Sequence, residues 1–327
     1  MATTEPKFFY ELLRILKTAY TGDQISIAYE AEKIAEKYEK KGLQERANKI
    51  RAQAERLRGR GNRIDNPLGE LTQKLGCEFF YPSEAAVKAR DFVPTSKNKT
   101  KMTELINVVR KKEVFWEAEI PLPNKTLLFG PPGTGKTMSA HYIASLLSMP
   151  LILVRLDMLI DSHLGGTAKN LRKIFDVANK QPCVLFLDEF DAIATNRQRL
   201  RGDSVENEMK RVVNSLLQNI DALNDEVMLL AATNLDSDID PAVWRRFHNR
   251  LDYELPDEHA VFAYLSKSMG NTFLVHEITP FLIGRSFSDI EMIVNKAKTK
   301  SILNAIDLSA RLIHESLEEL LLQRSTS

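Results

Sequence analysis

Eight consecutive residues, Gly130-Pro131-Pro132-Gly133-Thr134-Gly135-Lys136-Thr137, combine three glycines with a lysine and a hydroxyl. Glycines let the backbone fold tightly enough for main-chain N–H groups to face an anion, and a helix starting at Lys136 adds its positive end. The lysine would neutralise neighbouring phosphates, and the Thr137 hydroxyl would ligate Mg²⁺. Met138 follows in the same helix. This is the chemistry of a cradle for a nucleoside triphosphate. A glycine-rich turn that binds nothing is the plain alternative. The apolar run 126–129 before the loop and the helical pattern 136–147 after it argue for the cradle.

A second constellation lies downstream. The apolar run Val184-Leu185-Phe186-Leu187 ends in Asp188 and Glu189, which places both at the strand end where open α/β sheets bind ligands. Asp188 suits a water-mediated hold on Mg²⁺, and Glu189 suits polarising an attacking water as general base. Two acids there also fit the start of a solvated helix, a reading the nearby phosphate loop disfavours. Asp191 is a third acid, or simply a helix cap. Asn234 closes another apolar run, either as a polar group near the lytic water or as a cap on the next turn. Arg245 and Arg246 carry guanidinium forks that match phosphate oxygens, with ordinary surface charge as the alternative.

The elements that must position these groups follow from periodicity. Apolar runs at 126–129, 151–154, 184–187, 227–231 and 250–255 read as buried strands separated by amphipathic helices. That alternation predicts an α/β fold, a parallel sheet covered by helices on both faces. After Pro256 only helical patterns remain, with a capping box at Ser288 and Glu291. Before it, three helical faces over about 6–59 read as a small antiparallel bundle. Prolines and glycines over 61–100 read as a linker. The division is therefore 1–60 bundle, 61–100 linker, 101–255 α/β subdomain and 256–327 helical lid. Arginines at 51–63 are taken as a solvated helix end rather than a nucleic-acid patch, since no aromatics are interleaved.

Composition narrows the classes. The 327 residues are 43% hydrophobic and carry 45 basic against 44 acidic residues, so no global field attracts nucleic acid. Cys77 and Cys183 lack metal spacing, and no HExxH motif is present. The N-terminus has no signal pattern, and no apolar run reaches the ~20 residues of a membrane span. A cytoplasmic location is expected.

Together GPPGTGKT, VLFLDEFD, Ala231-Ala232-Thr233-Asn234 and the segment from Ile239 to Arg250 resemble the AAA ATPase family over about residues 101–325. The resemblance implies a P-loop NTPase (AAA+) fold that binds ATP with Mg²⁺ at residues 130–138 and hydrolyses it inside a homohexameric ring. It makes Asn234 the polar sensor and Arg245 and Arg246 the fingers reaching a neighbouring subunit's nucleotide. Ala-Val-Trp-Arg-Arg-Phe followed by Glu254-Leu255-Pro256 is most similar to the microtubule-severing and ESCRT-disassembling branch. Residues 1–60 resemble that branch's microtubule-interacting-and-trafficking domain, with a generic helical bundle as the alternative.

Three departures accompany the likeness. The family's Gly-Ala-Asp is Phe287-Ser288-Asp289 here, and Leu265 stands where a nucleotide-contacting His is common. The first pore loop reads His163-Leu164-Gly165 where unfoldases carry an aromatic. Two functions follow as expectations: remodelling of a protein client recruited by residues 1–60, or a nucleotide-timed switch, in bacterial defence for example, controlling a separate effector such as a protease. A DNA-acting loader is the least favoured.

Overall fold

In the computed structural model the described residues are 44–61, 75–162, 166–194, 203–234, 241–270 and 272–325, with isolated positions between 27 and 39. Six strands form one sheet: β1 (Glu78–Phe80), β2 (Lys125–Phe129), β3 (Leu151–Arg155), β4 (Cys183–Asp188), β5 (Val227–Thr233) and β6 (Asn249–Asp252), in the order β1-β3-β4-β5-β2-β6. All neighbours are parallel except β1, which runs antiparallel to β3 at the edge.

Alternation along the central strands decides the layers. In β4, Cys183, Leu185 and Leu187 join one apolar cluster, while Val184 and Phe186 join another on the opposite face. Strand β5 splits the same way, Leu229 and Ala231 to the first cluster, Met228 and Leu230 to the second. Side chains of successive strand residues point to opposite faces, so a strand apolar on both sides must be covered twice. Helices α7 (Thr167–Ala178) and α9 (Asp203–Asp221) cover the first face, packing Ile174, Phe175, Val213 and Leu216. The second face is covered by α2 (Pro82–Lys88), α3 (Ser96–Arg110) and α5 (Lys136–Leu147), through residues such as Ala85, Ile106 and Ile143. Leu185, fully buried, sits where truncation to Ala typically costs ~2–5 kcal/mol.

The lid has its own core. Helices α11 (Glu258–Met269), α12 (Thr272–Leu282), α13 (Phe287–Asn304) and α14 (Ala310–Ser325) gather Leu265, Ile278, Ile293 and Ile313 into a third cluster. Within the body the chain also forms α4 (Lys112–Glu117), α6 (Leu156–Ser162), α8 (Asp191–Ala194) and α10 (Pro241–Trp244).

Three sequence readings change. The stretch 61–100 is not linker throughout: β1 and α2 belong to the α/β body, and Ala85, Ala89 and Phe92 are buried in it. Pro82 misled because a proline at the first position of a helix starts it rather than breaks it. The expected all-parallel sheet gains an antiparallel edge. The cap of α13 is Ser286, whose side chain accepts from the Asp289 backbone N–H at 3.2 Å, two residues before the expected one. Of the N-terminal bundle, α1 (Gln44–Gly61) is described, with Ala47 and Ala54 fully buried. The first two expected helices lie largely outside the described residues.

Candidate active site

The phosphate loop leaves β2, one strand in from the edge of the sheet, and enters α5. Gly130, Gly133 and Gly135 hold φ of 134°, 73° and 97°, a left-handed region that side chains resist. Space matters as much as torsion. A Cβ on Gly130 would stand 2.0 Å from the Tyr253 carbonyl oxygen. On Gly133 it would meet Ser286 Oγ at 2.8 Å and Ser288 Cβ at 2.9 Å. Thr134 Oγ1 braces the loop by donating to Pro131 O at 2.8 Å. Lys136 Nζ donates to Gly130 O at 2.6 Å and Pro131 O at 2.8 Å.

Parallel pairing of β3, β4 and β5 brings the second constellation to the same rim. Thr137 Oγ1 donates to Asp188 Oδ2 at 2.9 Å, joining the two motifs directly. The Glu189 N–H donates to Asp188 Oδ1 at 3.1 Å. Glu189 itself has φ of 54°, a strained value for a non-glycine residue. The turn is held by the Phe190 N–H, which donates to Ala232 O on β5 at 2.8 Å. Asn234 Nδ2 lies 3.5 Å from Glu189 Oε2, at the outer limit of a hydrogen bond.

These groups line one cavity of about 260 Å³, walled by Pro132, Gly133, Gly135, Lys136, Thr137, Met138, Asp188, Glu189 and Asn234, with Ser288 reaching in from the lid. Gly130, Pro131 and Thr134 belong to the same loop but are not part of the cavity wall. Ser288 was not singled out from sequence as a site residue, because nothing local links residue 288 to residue 133. The Ser288 N–H donates to Gly133 O at 3.2 Å.

Charge in the cavity is unbalanced. Burial raises the Asp188 carboxyl, opposed by Thr137, the Glu189 N–H, Arg155 and Lys136. Burial also raises Glu189, reinforced by Asp191, Asp188 and Asp157. Lys136 is lowered by burial against the pull of Asp188, Asp191 and Glu189. A site with this many carboxylates around one lysine suits a cation, and the hydroxyl–carboxylate pair of Thr137 and Asp188 suits Mg²⁺. A raised Glu189 is a better proton acceptor than an ordinary glutamate.

The remaining sequence candidates lie apart. Arg245 and Arg246 follow α10 and line neither this cavity nor its walls. Arg245 is exposed. Arg246 Nη1 donates to Ala242 O at 2.7 Å, and Nη2 lies 3.3 Å from Asp221 Oδ2. Arg250 stacks over Trp244 at 4.5 Å from the ring centroid. His163, Leu164 and Gly165 lie outside the described residues.

Residues 126–255 match the family described as ATPase family associated with various cellular activities (AAA). The chain is also 36% identical over 293 residues to an uncharacterized AAA family ATPase of Sinorhizobium fredii, covering 88% of this chain and 87% of that protein. The chain belongs to the AAA ATPase family.

Other AAA relatives share less of their length. A putative 26S proteasome regulatory subunit homolog of Methanocaldococcus jannaschii is 39% identical over 141 residues, 42% of this chain and 37% of that protein. The ATP-dependent zinc metalloprotease FtsH of Syntrophotalea carbinolica is 29% identical over 234 residues, 68% of this chain and 36% of that protein. The likeness to both therefore covers under half of each. Membership makes this chain an ATPase on a P-loop α/β fold. Among the described residues no helix is long and apolar enough to cross a membrane, and no group of three His, Cys, Asp or Glu could hold a metal ion.

Proposed function

We propose that this AAA ATPase acts as a ring of identical subunits, a homohexamer, that uses ATP hydrolysis to remodel or disassemble a protein client. The observation that carries the reading is the split between a nearly complete site and an exposed arginine outside it. Residues 130–138 hold the phosphates, Thr137 and Asp188 hold Mg²⁺, Glu189 accepts the proton of the attacking water, and Asn234 orients Glu189. Among the described residues that line that cavity Lys136 is the one cation, and it belongs to the phosphate loop; a second cation is to come from elsewhere. Arg245 supplies it to the next subunit, and Arg246 fixes the segment that presents Arg245. Mg²⁺ contributes charge neutralisation of the phosphates.

Residues 1–60 serve as the client-docking bundle, similar to the microtubule-interacting-and-trafficking domain, ahead of the α/β subdomain and the 256–327 lid. The motif likeness to the severing and ESCRT-disassembling branch supports a protein client, as do relatives named for proteasome regulation and proteolysis. A second reading, a switch acting on a separate effector, is supported by His163 in the pore-loop position. Imidazole offers less apolar grip than an aromatic ring.

The deciding experiment compares Lys136→Ala with Glu189→Gln. The first should lose ATP binding, and the second should bind ATP and hold it uncleaved, because Glu189 acts only as bonds change. Normal turnover by Glu189→Gln would remove it from the mechanism. Client unfolding that improves with His163→Tyr favours remodelling; indifference to that change favours the switch.

A further inference from the structure

Trp244 closes α10, and Arg245 follows it directly. Its indole meets the Phe129 ring edge to face, with centroids 5.7 Å apart and planes at 81°. The Arg250 guanidinium covers the indole at 4.5 Å from its centroid. Sheet register explains how the three come together. Arg250 on β6 pairs with Leu127 on β2, and Leu127 belongs to the first apolar cluster. Phe129, two residues on, points to the same face, where Trp244 packs against that cluster. Phe129 is also the last residue of β2, so Gly130 of the phosphate loop comes next. Across the sheet it pairs with Thr233, one residue before Asn234.

We propose that Trp244 is a positioning residue, which ties the Arg245 segment to the phosphate loop of its own subunit through Phe129 on one side and Arg250 on the other. The inference rests on the reading of Arg245 as the arginine given to the next subunit. Val243 and Phe247 already anchor this turn, since both are buried in the core. Trp244 is only half-buried, so filling the core does not account for an indole there. Its contacts run sideways instead, to the ends of two strands. An aromatic ring set against another ring and under a planar guanidinium is held in one orientation. Coupling of this kind travels through packed side chains on rigid elements. A shift of the loop at Gly130 therefore reaches Phe129, then Trp244, then Arg245, and nucleotide in one site governs what that subunit offers its neighbour.

Equal mixtures of two variant full-length chains, assayed for ATP turnover, test this. Alone, Trp244→Leu should lower kcat about 10- to 100-fold while still binding ADP by calorimetry. Trp244→Phe keeps a ring between Phe129 and Arg250 and should retain most of the turnover. Trp244→Leu mixed with Lys136→Ala should recover activity, because one brings an intact site and the other a well-placed Arg245. Mixed with Arg245→Ala it should recover nothing, since neither chain presents that arginine. Recovery in this second mixture would overturn the proposal, as the defect would then lie in the variant's own site. Full turnover by Trp244→Leu alone would overturn it too. The control is Arg245→Ala with Lys136→Ala: no recovery there removes the reading of Arg245 itself. Where the control recovers and Trp244→Leu with Lys136→Ala does not, Trp244 alone is misassigned. If Trp244→Leu does not fold, Trp244→Met, which fills space adaptably, takes its place. A second measurement uses fluorescence, since the chain has two tryptophans. With Trp116→Phe in place, ADP should shift the emission of Trp244; emission blind to ADP would overturn its link to the phosphate loop.

Discussion

The Arg246 guanidinium is held 3.3 Å from the Asp221 carboxylate of its own subunit, while Arg245 beside it is exposed. The family motif treats the two as a pair, and the geometry separates them. Arg245→Ala is expected to cut ATP turnover by about 10³-fold or more with an unaltered melting temperature. Arg246→Ala should lower the melting temperature by a few degrees, having lost its ties to Asp221 and Ala242, and reduce turnover less. Thermal melts alongside turnover assays check both. An inactive Arg246→Ala of normal stability beside a fully active Arg245→Ala would reverse the assignment. Mixing Arg245→Ala with Lys136→Ala subunits should restore part of the activity, since each supplies what the other lacks.

Glu189 carries a raised pKa from burial and from Asp191, Asp188 and Asp157. Protonation removes the acceptor, so turnover at saturating ATP should fall on the acid side with a midpoint above the ordinary glutamate value of about 4.3. Asp191→Asn removes a negative neighbour, makes the Glu189 anion easier to form, and should move that midpoint down. A pH profile of the two proteins decides; an upward move would mean that another group titrates.

Gly130→Ala and Gly133→Ala should fail in different ways. The added Cβ at 130 meets backbone at 2.0 Å, which cannot yield without moving β6 and its exit. Gly130→Ala should therefore be poorly folded. At 133 the neighbours are serine side chains of the lid, so the protein should fold with a destabilisation of about 1–2 kcal/mol from the φ and bind nucleotide weakly. Circular dichroism with nucleotide titration distinguishes the two. Full nucleotide affinity in Gly133→Ala would show that the lid contact is dispensable.

His141 on α5 is buried beneath Phe80, ring centroids 4.7 Å apart, and burial with Lys88 lowers its pKa to about 4. Its Nδ1 has no hydrogen-bond partner among the described residues. The unfolded chain takes up a proton near the ordinary value of about 6.5, while the folded chain resists until about 4. Between those values the unfolded state binds more protons, so stability should decline as pH falls. Melting temperature against pH should show this slope, flattened in His141→Leu. An unchanged slope would place its origin elsewhere.

Much of the site was legible because its parts are local. The strand–loop–helix around residues 130–137 and the acids after Leu187 are each contiguous, and their apolar strands announce where they end. The Thr137–Asp188 contact follows once both strands share a sheet. The strained φ of Glu189 was not legible, since it arises from the hydrogen bond of Phe190 to β5 rather than from its own type. Nor was Ser288, which meets Gly133 only through the lid's placement. Strand β1 escaped because three residues are too few for a periodicity. Arg246 was read as a partner of Arg245, and only the position of α9 reveals Asp221 beside it.

The antiparallel edge strand has a mechanical consequence. Strand β1 is joined to the rest of the sheet through three residue pairs, Glu78 with Leu153, Phe79 with Ile152 and Phe80 with Leu151. Tension drawn along β1 loads those pairs together in shear, whereas tension across it peels them singly. Behind this clip lies α5 itself, with Phe80 resting on His141 and Ala85 packed in the same core. A tug that loosens β1 is thus felt first by the helix that begins at Lys136.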